Sequence, residues 1–369
     1  SILSTRQFCY LMFLTLMGNA LILAPINSVG RDIWASNLLG SLSGGYIIYV
    51  ILTIQKTFPG LSIIQASELC LGKIPGKGLS LLYLLVIFYS SMVYLVDACI
   101  LLRTIFPFFT CYLLRPLMIL TAAYCIYKGI NAIGRLAEIL QPLTILLIVT
   151  GLVLMTSVAD FSRLQPVLAD LKPVLGGAIN GAGWPYSGIA VLALFLPFVN
   201  DLKKKQPIIY IWYFAAVFIF VIRSIIVLAA LGPQFTTLVR FPMYAVLRMI
   251  VFADFQRVEL FFFAVWISSG FMVLLINYLA GLLALKNILS LPSFKSLILP
   301  FGFLITVISL YMYSSDMEFY SLEPATSPII YLTINLLYPT IILIAAKLRG
   351  KSLPQTDLKP DSMVAPTQE

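Results

Sequence analysis

Asp97 sits in the middle of an apolar run, YSSMVYLVDACILLRTIF, six residues before Arg103. A second charge, Arg223, interrupts FIFVIRSIIVL in the same way. A charge at bilayer depth costs at least about 2.5–3.5 kcal/mol on insertion scales, so Asp97 must be paired, hydrated or protonated. It could hold a ligand amine, relay a proton, or pair with Arg103 or Arg223, although its spacing from Arg103 is not ideal on one helix. For Arg223, an ion pair or a water-filled cavity is a plainer reading than direct ligand contact. A third polar set, Ser268, Ser269, Asn277 and Tyr278, lies in WISSGFMVLLINYLAG, where Val273 and Asn277 share a helical face. Asn277 could bond a ligand or a neighbouring helix.

Other chemistry has little support. The chain has no histidine, and its five cysteines (Cys9, Cys70, Cys99, Cys111, Cys125) show no C-x-x-C spacing. No zinc site, cofactor or disulfide framework is therefore expected, and the thiols read as small packing residues. There is no H-E-x-x-H, Walker loop or G-x-S-x-G, so an enzyme is not expected. The net charge of +9 lies in short loops, which fits the positive-inside rule and anionic lipid rather than nucleic acid.

The elements that must position these residues are membrane spans. The chain is 60% hydrophobic and only 11% charged, more apolar surface than a soluble core can hide. At about 20 apolar residues per helix, ten spans are expected at about 5–29, 34–55, 79–106, 113–127, 135–158, 175–199, 206–231, 258–285, 296–313 and 326–346. The first run shows no cleavable signal pattern and reads as a retained helix. Residues 1–346 form one integral membrane domain in this reading, and the polar, Pro-containing segment 347–369 is a disordered cytoplasmic tail. Most Lys and Arg fall in loops on one side, which places both termini in the cytoplasm.

Ten spans can form two inverted halves of five, with spans 1 and 6 each interrupted near the midplane. Span 1 carries Gly18-Asn19 and Pro25 in LMGNALILAP; span 6 carries GGAINGAGWPYSG, with Pro185 among its glycines. Glycine and proline weaken a helix interior, and in lipid the freed backbone groups must meet protein, water or ligand. The plainer alternative is that the glycines let helices pack closely. Glu138 reads as an acidic residue near the start of span 5, where the macrodipole favours it. Trp34, Trp184, Trp212 and Trp266 read as interface anchors, or for Trp184 as a gate beside Pro185.

Three segments, AAYCIYKGINAIGRLAEILQP (122–142), FLPFVNDLKKKQ (195–206) and LGPQFTTLVRFPMYAVLRMIVFADFQRVELFFFAVWISSGF (231–271), resemble the spore permease family. The stretch around Phe241-Pro242, Asp254-Phe255, Arg257, Glu259 and Trp266 is the most specific, and STRQFCYLMFLTLMGNALILAP fits the family's start. The resemblance runs from about residue 4 to 346, and these are the B subunits of Ger-type nutrient germinant receptors of endospore-forming bacteria. It implies a place in the amino acid/polyamine/organocation superfamily and a LeuT-type fold. It also implies A and C partner subunits in the inner spore membrane, and sensing of an amino acid or sugar that triggers ion release and germination.

The family's binding positions map to Gly18, to Val273 and Asn277, and to the Trp184–Gly188 stretch. Relatives often carry an acid where this chain has Gly188, and some carry a hydroxyl at Val273, so a pocket for an apolar amino acid is expected. The candidate ligand contacts are Gly18, Asn19 and Ala20 on span 1, and Tyr94 and Asp97 on span 3. Span 6 adds Gly183, Trp184, Pro185, Ser187 and Gly188, and span 8 adds Val273 and Asn277. An ion-coupled secondary amino-acid transporter is the alternative, because the fold alone does not separate the two.

Overall fold

Each long apolar run folds as helix because lipid offers the backbone no other partner. The computed structural model describes residues 3–20, 29–108, 110–168, 170–239, 241–250 and 259–350; the side chains of residues 19, 20, 203, 204, 261 and 262 are also outside the description. The first half contains α1 (Thr5–Ala20), α2 (Ile33–Thr57), a short α3 (Ile63–Leu71), α4 (Lys73–Ile105), α5 (Cys111–Tyr127) and α6 (Ile130–Met155). The second half contains α7 (Leu171–Gly183), a 3-10 segment (Tyr186–Leu194), α8 (Leu202–Leu231), the short α9 (Pro233–Leu238) and α10 (Pro242–Met249), α11 (Glu259–Ile288), α12 (Ile298–Tyr311) and α13 (Asp316–Leu348). Six of these helices are long and apolar enough to cross a membrane, and α5 and α12 are shorter apolar helices. The protein is a multi-pass, all-α membrane protein. At the expected positions of spans 1 and 6 lie α1, described only to Ala20, and α7 with the 3-10 segment.

Several boundaries and contacts differ from expectation. Gly18 and Asn19 lie inside α1, which is helical through Ala20; Pro25 falls outside the described residues. α7 is likewise continuous through Gly176, Gly177, Gly181 and Gly183, so these glycines do not interrupt it. They let it approach its neighbours. A Cβ on Gly40 of α2 would stand 2.9 Å from the Ala178 carbonyl oxygen of α7, and Ser36 Oγ donates 2.9 Å to the Val174 carbonyl. The small-residue packing of membrane helices accounts for this contact.

Glu138 lies well past the first turn of α6, so the macrodipole does not explain it; its carboxylate accepts a 2.9 Å bond from Arg6, tying α6 to α1. Trp266 is 1% exposed and belongs to the core rather than the interface. α11 is the central helix: its apolar window is 83% buried, against 33% for that of α6. A helix that is apolar all round needs such a position.

Cys99 and Cys111 form a disulfide, contrary to the reading of the thiols as packing residues. The bridge closes the turn between α4 and α5, with Cα atoms 5.6 Å apart and 12 residues of separation. A loop of this length contributes about 3 kcal/mol by the chain-entropy argument. Thermal unfolding of the Cys99→Ser/Cys111→Ser protein is expected to show a loss of that size. An unchanged melting temperature would mean the bridge constrains nothing.

Candidate functional site

The interruption of span 6 follows from one residue. Pro185 has no N–H to offer the Gly181 carbonyl, and it disfavours α geometry at the residue before it. Trp184 is extended (φ −144°, ψ 127°), the Trp184–Pro185 peptide is cis, and the chain resumes as 3-10 helix at Tyr186. Hydrogen bonding switches register here, from Trp184 N–H to the Asn180 carbonyl (2.8 Å) to Gly188 N–H to the Pro185 carbonyl (3.3 Å). Two of the carbonyls freed at the end of α7 are met by serines. Ser187 Oγ donates to Gly183 O at 2.5 Å, and Ser43 Oγ donates to Ala182 O at 3.1 Å. Ser187 is fully buried and also receives Asn335 Nδ2 at 3.4 Å, so its hydroxyl closes the break from within.

A cavity of about 20 Å³ lies beside the break, lined by Trp184, Gly188 and Val191 of span 6, Val86, Ile87 and Ser90 of α4, Asn277 of α11, and Tyr331 and Asn335 of α13. Room for a water starts at about 10–15 Å³, whereas pockets that enclose drug-sized ligands run to about 300–1,000 Å³. In this conformation the site is closed on anything larger than water. Its wall is mixed. Valines, Ile87 and Trp184 supply apolar surface, while Ser90, Tyr331 and the two asparagines supply polar groups. Asn277 Nδ2 donates 2.9 Å to the Val273 carbonyl of its own helix rather than to a neighbouring helix.

The expected contacts therefore divide. Trp184, Gly188 and Asn277 meet at the cavity, with Pro185 creating the break and Ser187 capping it. Gly18 and Val273 are brought together, but as packing: a Cβ on Gly18 would fall 2.5 Å from Val273 Cγ2 and 2.6 Å from the Ser269 carbonyl oxygen. Gly183 packs against the Pro328 carbonyl of α13. Tyr94 and Asp97 are buried on α4 but do not line the cavity. Seven residues separate Asp97 from Ser90, or about 10 Å along the helix axis. The side chains of Asn19 and Ala20 lie outside the described residues.

Asp97 is 8% exposed, and its Oδ1 is buried without a hydrogen-bond partner. Arg103 pairs instead with Asp316 at the start of α13, and Arg223 stands 5.9 Å over the Phe220 ring. Among the described residues Asp97 has no ion pair. Near it is an acid that the sequence reading missed. Glu323, 5% exposed on α13, accepts hydrogen bonds from Tyr89 Oη at 2.5 Å and Tyr313 Oη at 2.8 Å and lies within electrostatic reach of Asp97. The polar residues of α4 and α13 thus meet in a ladder: Ser80 with Tyr338, Tyr89 with Glu323, and Arg103 with Asp316.

This architecture has solved counterparts. MhsT in complex with L-phenylalanine superposes with a TM-score of 0.69 at 15% identity, covering 91% of this chain and 88% of that one. Mhp1, a nucleobase-cation-symport-1 family transporter in a closed conformation with bromovinylhydantoin bound, gives 0.64 at 12% identity, covering 95% and 94%. Both place the chain in the LeuT-type fold. In sequence it is 25% identical to spore germination protein KB of Bacillus subtilis (strain 168) over 356 residues, 95% of each protein. Spore germination protein YndE of the same organism is 23% identical over 168 residues, 45% of this chain and 46% of that one. The spore permease model, described as spore germination protein, matches residues 2–317. With the resembling segments, the LeuT-type architecture and this match in agreement, the chain belongs to the spore permease family of spore germination proteins.

Proposed function

We propose that this protein is the nutrient-sensing membrane subunit of a spore germinant receptor, and that it binds a small germinant, an apolar amino acid, at the break in span 6. The observation that carries the reading is the Pro185 interruption opening onto a cavity with both apolar and amide-bearing walls. Trp184, Gly188 and Asn277 are the primary contacts. The cavity admits the ligand when Trp184 or Tyr331 swings aside, and binding favours the arrangement with the larger cavity. Gly18 against Val273 sets the tight α1–α11 contact that must adjust. A and C partner subunits read this shift at the inner spore membrane, with both termini of this chain and the 347–369 tail on the cytoplasmic side.

Titration of the nanodisc-embedded protein with a panel of amino acids and sugars tests this reading. Saturable binding of an apolar amino acid is expected, and Asn277→Leu should weaken it by roughly tenfold or more, the loss of one hydrogen bond to a charged group. Binding confined to sugars or charged amino acids, or indifferent to Asn277, would sink the assignment. The alternative, an ion-coupled amino-acid transporter, draws support from buried Asp97, which has no ion pair among the described residues. It requires accumulation of labelled substrate in proteoliposomes without partner subunits; the sensor binds without accumulating.

A further inference from the structure

At the end of the bundle that carries Arg103 and Asp316 there is a second and much larger cavity, about 550 Å³, between α4, α5, α12 and the turn into α13. It is separate from the break in span 6. Arg115 of α5, 8% exposed, is a charged residue of its lining; its Nη1 donates 2.5 Å to the Ser309 carbonyl, and its buried Nε has no hydrogen-bond partner. Arg103 also lines the cavity, but its charge is matched by Asp316, the only carboxylate in the lining. Asp316 acts on Arg115 electrostatically without reaching ion-pair distance. Among the described residues, then, Arg115 has no carboxylate partner, and a guanidinium does not escape this by losing its proton. A guanidinium charge with no counter-charge is expensive to hold in a part-buried site, and a carboxylate is its natural partner. Val96, Ile100 and Leu310 add apolar surface to a lining that is otherwise largely polar.

We infer that this cavity is a binding site for a small amphiphilic carboxylate, its carboxylate facing the Arg115 guanidinium and its apolar body against Val96, Ile100 and Leu310. The volume suffices for such a solute, and a neutral ligand would leave the Arg115 charge without a counter-charge. The inference does not depend on which nutrient, if any, enters span 6.

Calorimetric titration of the full chain in nanodiscs at fixed ionic strength tests it, with isovalerate as the probe and isovaleramide as its neutral counterpart. Isovalerate is expected to bind saturably and at least tenfold more tightly than isovaleramide, and Arg115→Gln should remove that preference. Because Arg115→Gln could disturb folding, Ser314→Trp serves as a second variant. Ser314 is exposed at the cavity wall, and the indole should block isovalerate without lowering the unfolding temperature. Trp184→Ala should leave isovalerate binding intact, which separates this site from the one in span 6. Equal binding of the amide, undiminished binding in both cavity variants, or displacement by chloride or phosphate at equal concentration would each overturn the carboxylate assignment.

Discussion

Gly183→Ala is expected to abolish the folded protein, whereas Gly176→Ala, seven residues earlier on the same helix, is expected to stabilise it. An added Cβ at Gly183 would lie inside the van der Waals envelope of the Pro328 carbonyl oxygen, 2.5 Å from its carbon and 2.7 Å from the Pro328 Cα. Overpacking typically costs about 1–3 kcal/mol when side chains can move aside. These obstacles are backbone, in a helix fixed along its length, so the loss should exceed the top of that range. At Gly176 nothing lies within 4 Å, and replacing a helical glycine there should gain about 0.5–1 kcal/mol. Thermal unfolding of the two purified variants checks the contrast. Similar melting temperatures would mean that α7 does not dock on α13 as described.

The two buried acids should respond in opposite directions. Glu323→Ala removes the acceptor of both Tyr89 and Tyr313, and a buried donor left unmet costs about 1–3 kcal/mol, so a loss of about 2–6 kcal/mol is expected. Asp97 makes no such bonds through its buried Oδ1. Asp97→Leu should therefore raise the unfolding temperature, by about 1–3 kcal/mol of relieved desolvation. It should also reduce the nutrient response, because an unpartnered acid at this depth marks function bought at the expense of stability. If Asp97→Leu destabilised the protein, Asp97 would be a structural partner and not a functional group.

These expectations trace what the sequence makes legible. The spans could be read because each needs about 20 apolar residues, a property of composition rather than of contacts. Pro185 could be read as the break because its effect is local. The glycines of α7 were misweighted, because close approach to α2 and α13 is a tertiary fact that a glycine does not announce. α13 starts ten residues before the expected span at 326, and it carries Pro324, Pro328 and Pro339 inside, as helices in membranes tolerate. A signal existed in Ser315-x-x-Glu318, where the Ser315 hydroxyl caps the Glu318 N–H at 3.2 Å. With that start misplaced, Glu323 fell in a presumed loop and the tyrosine-held acid went unseen. Asp97 could be singled out by depth, but its lack of a partner depends on Arg103 turning to Asp316, which no spacing rule encodes. Cys99 and Cys111 likewise meet only because α4 and α5 fold back on each other.

Hydrogen–deuterium exchange of the nanodisc-embedded protein, with and without the nutrient that germinates the parent spores, bears most directly on the ligand site. Slower exchange is expected at the amides of residues 183–191 once the nutrient is bound, because a ligand at the break steadies the end of α7 and the 3-10 segment that follows it. Exchange unchanged across 183–191 at saturating nutrient would contradict recognition at the Pro185 break.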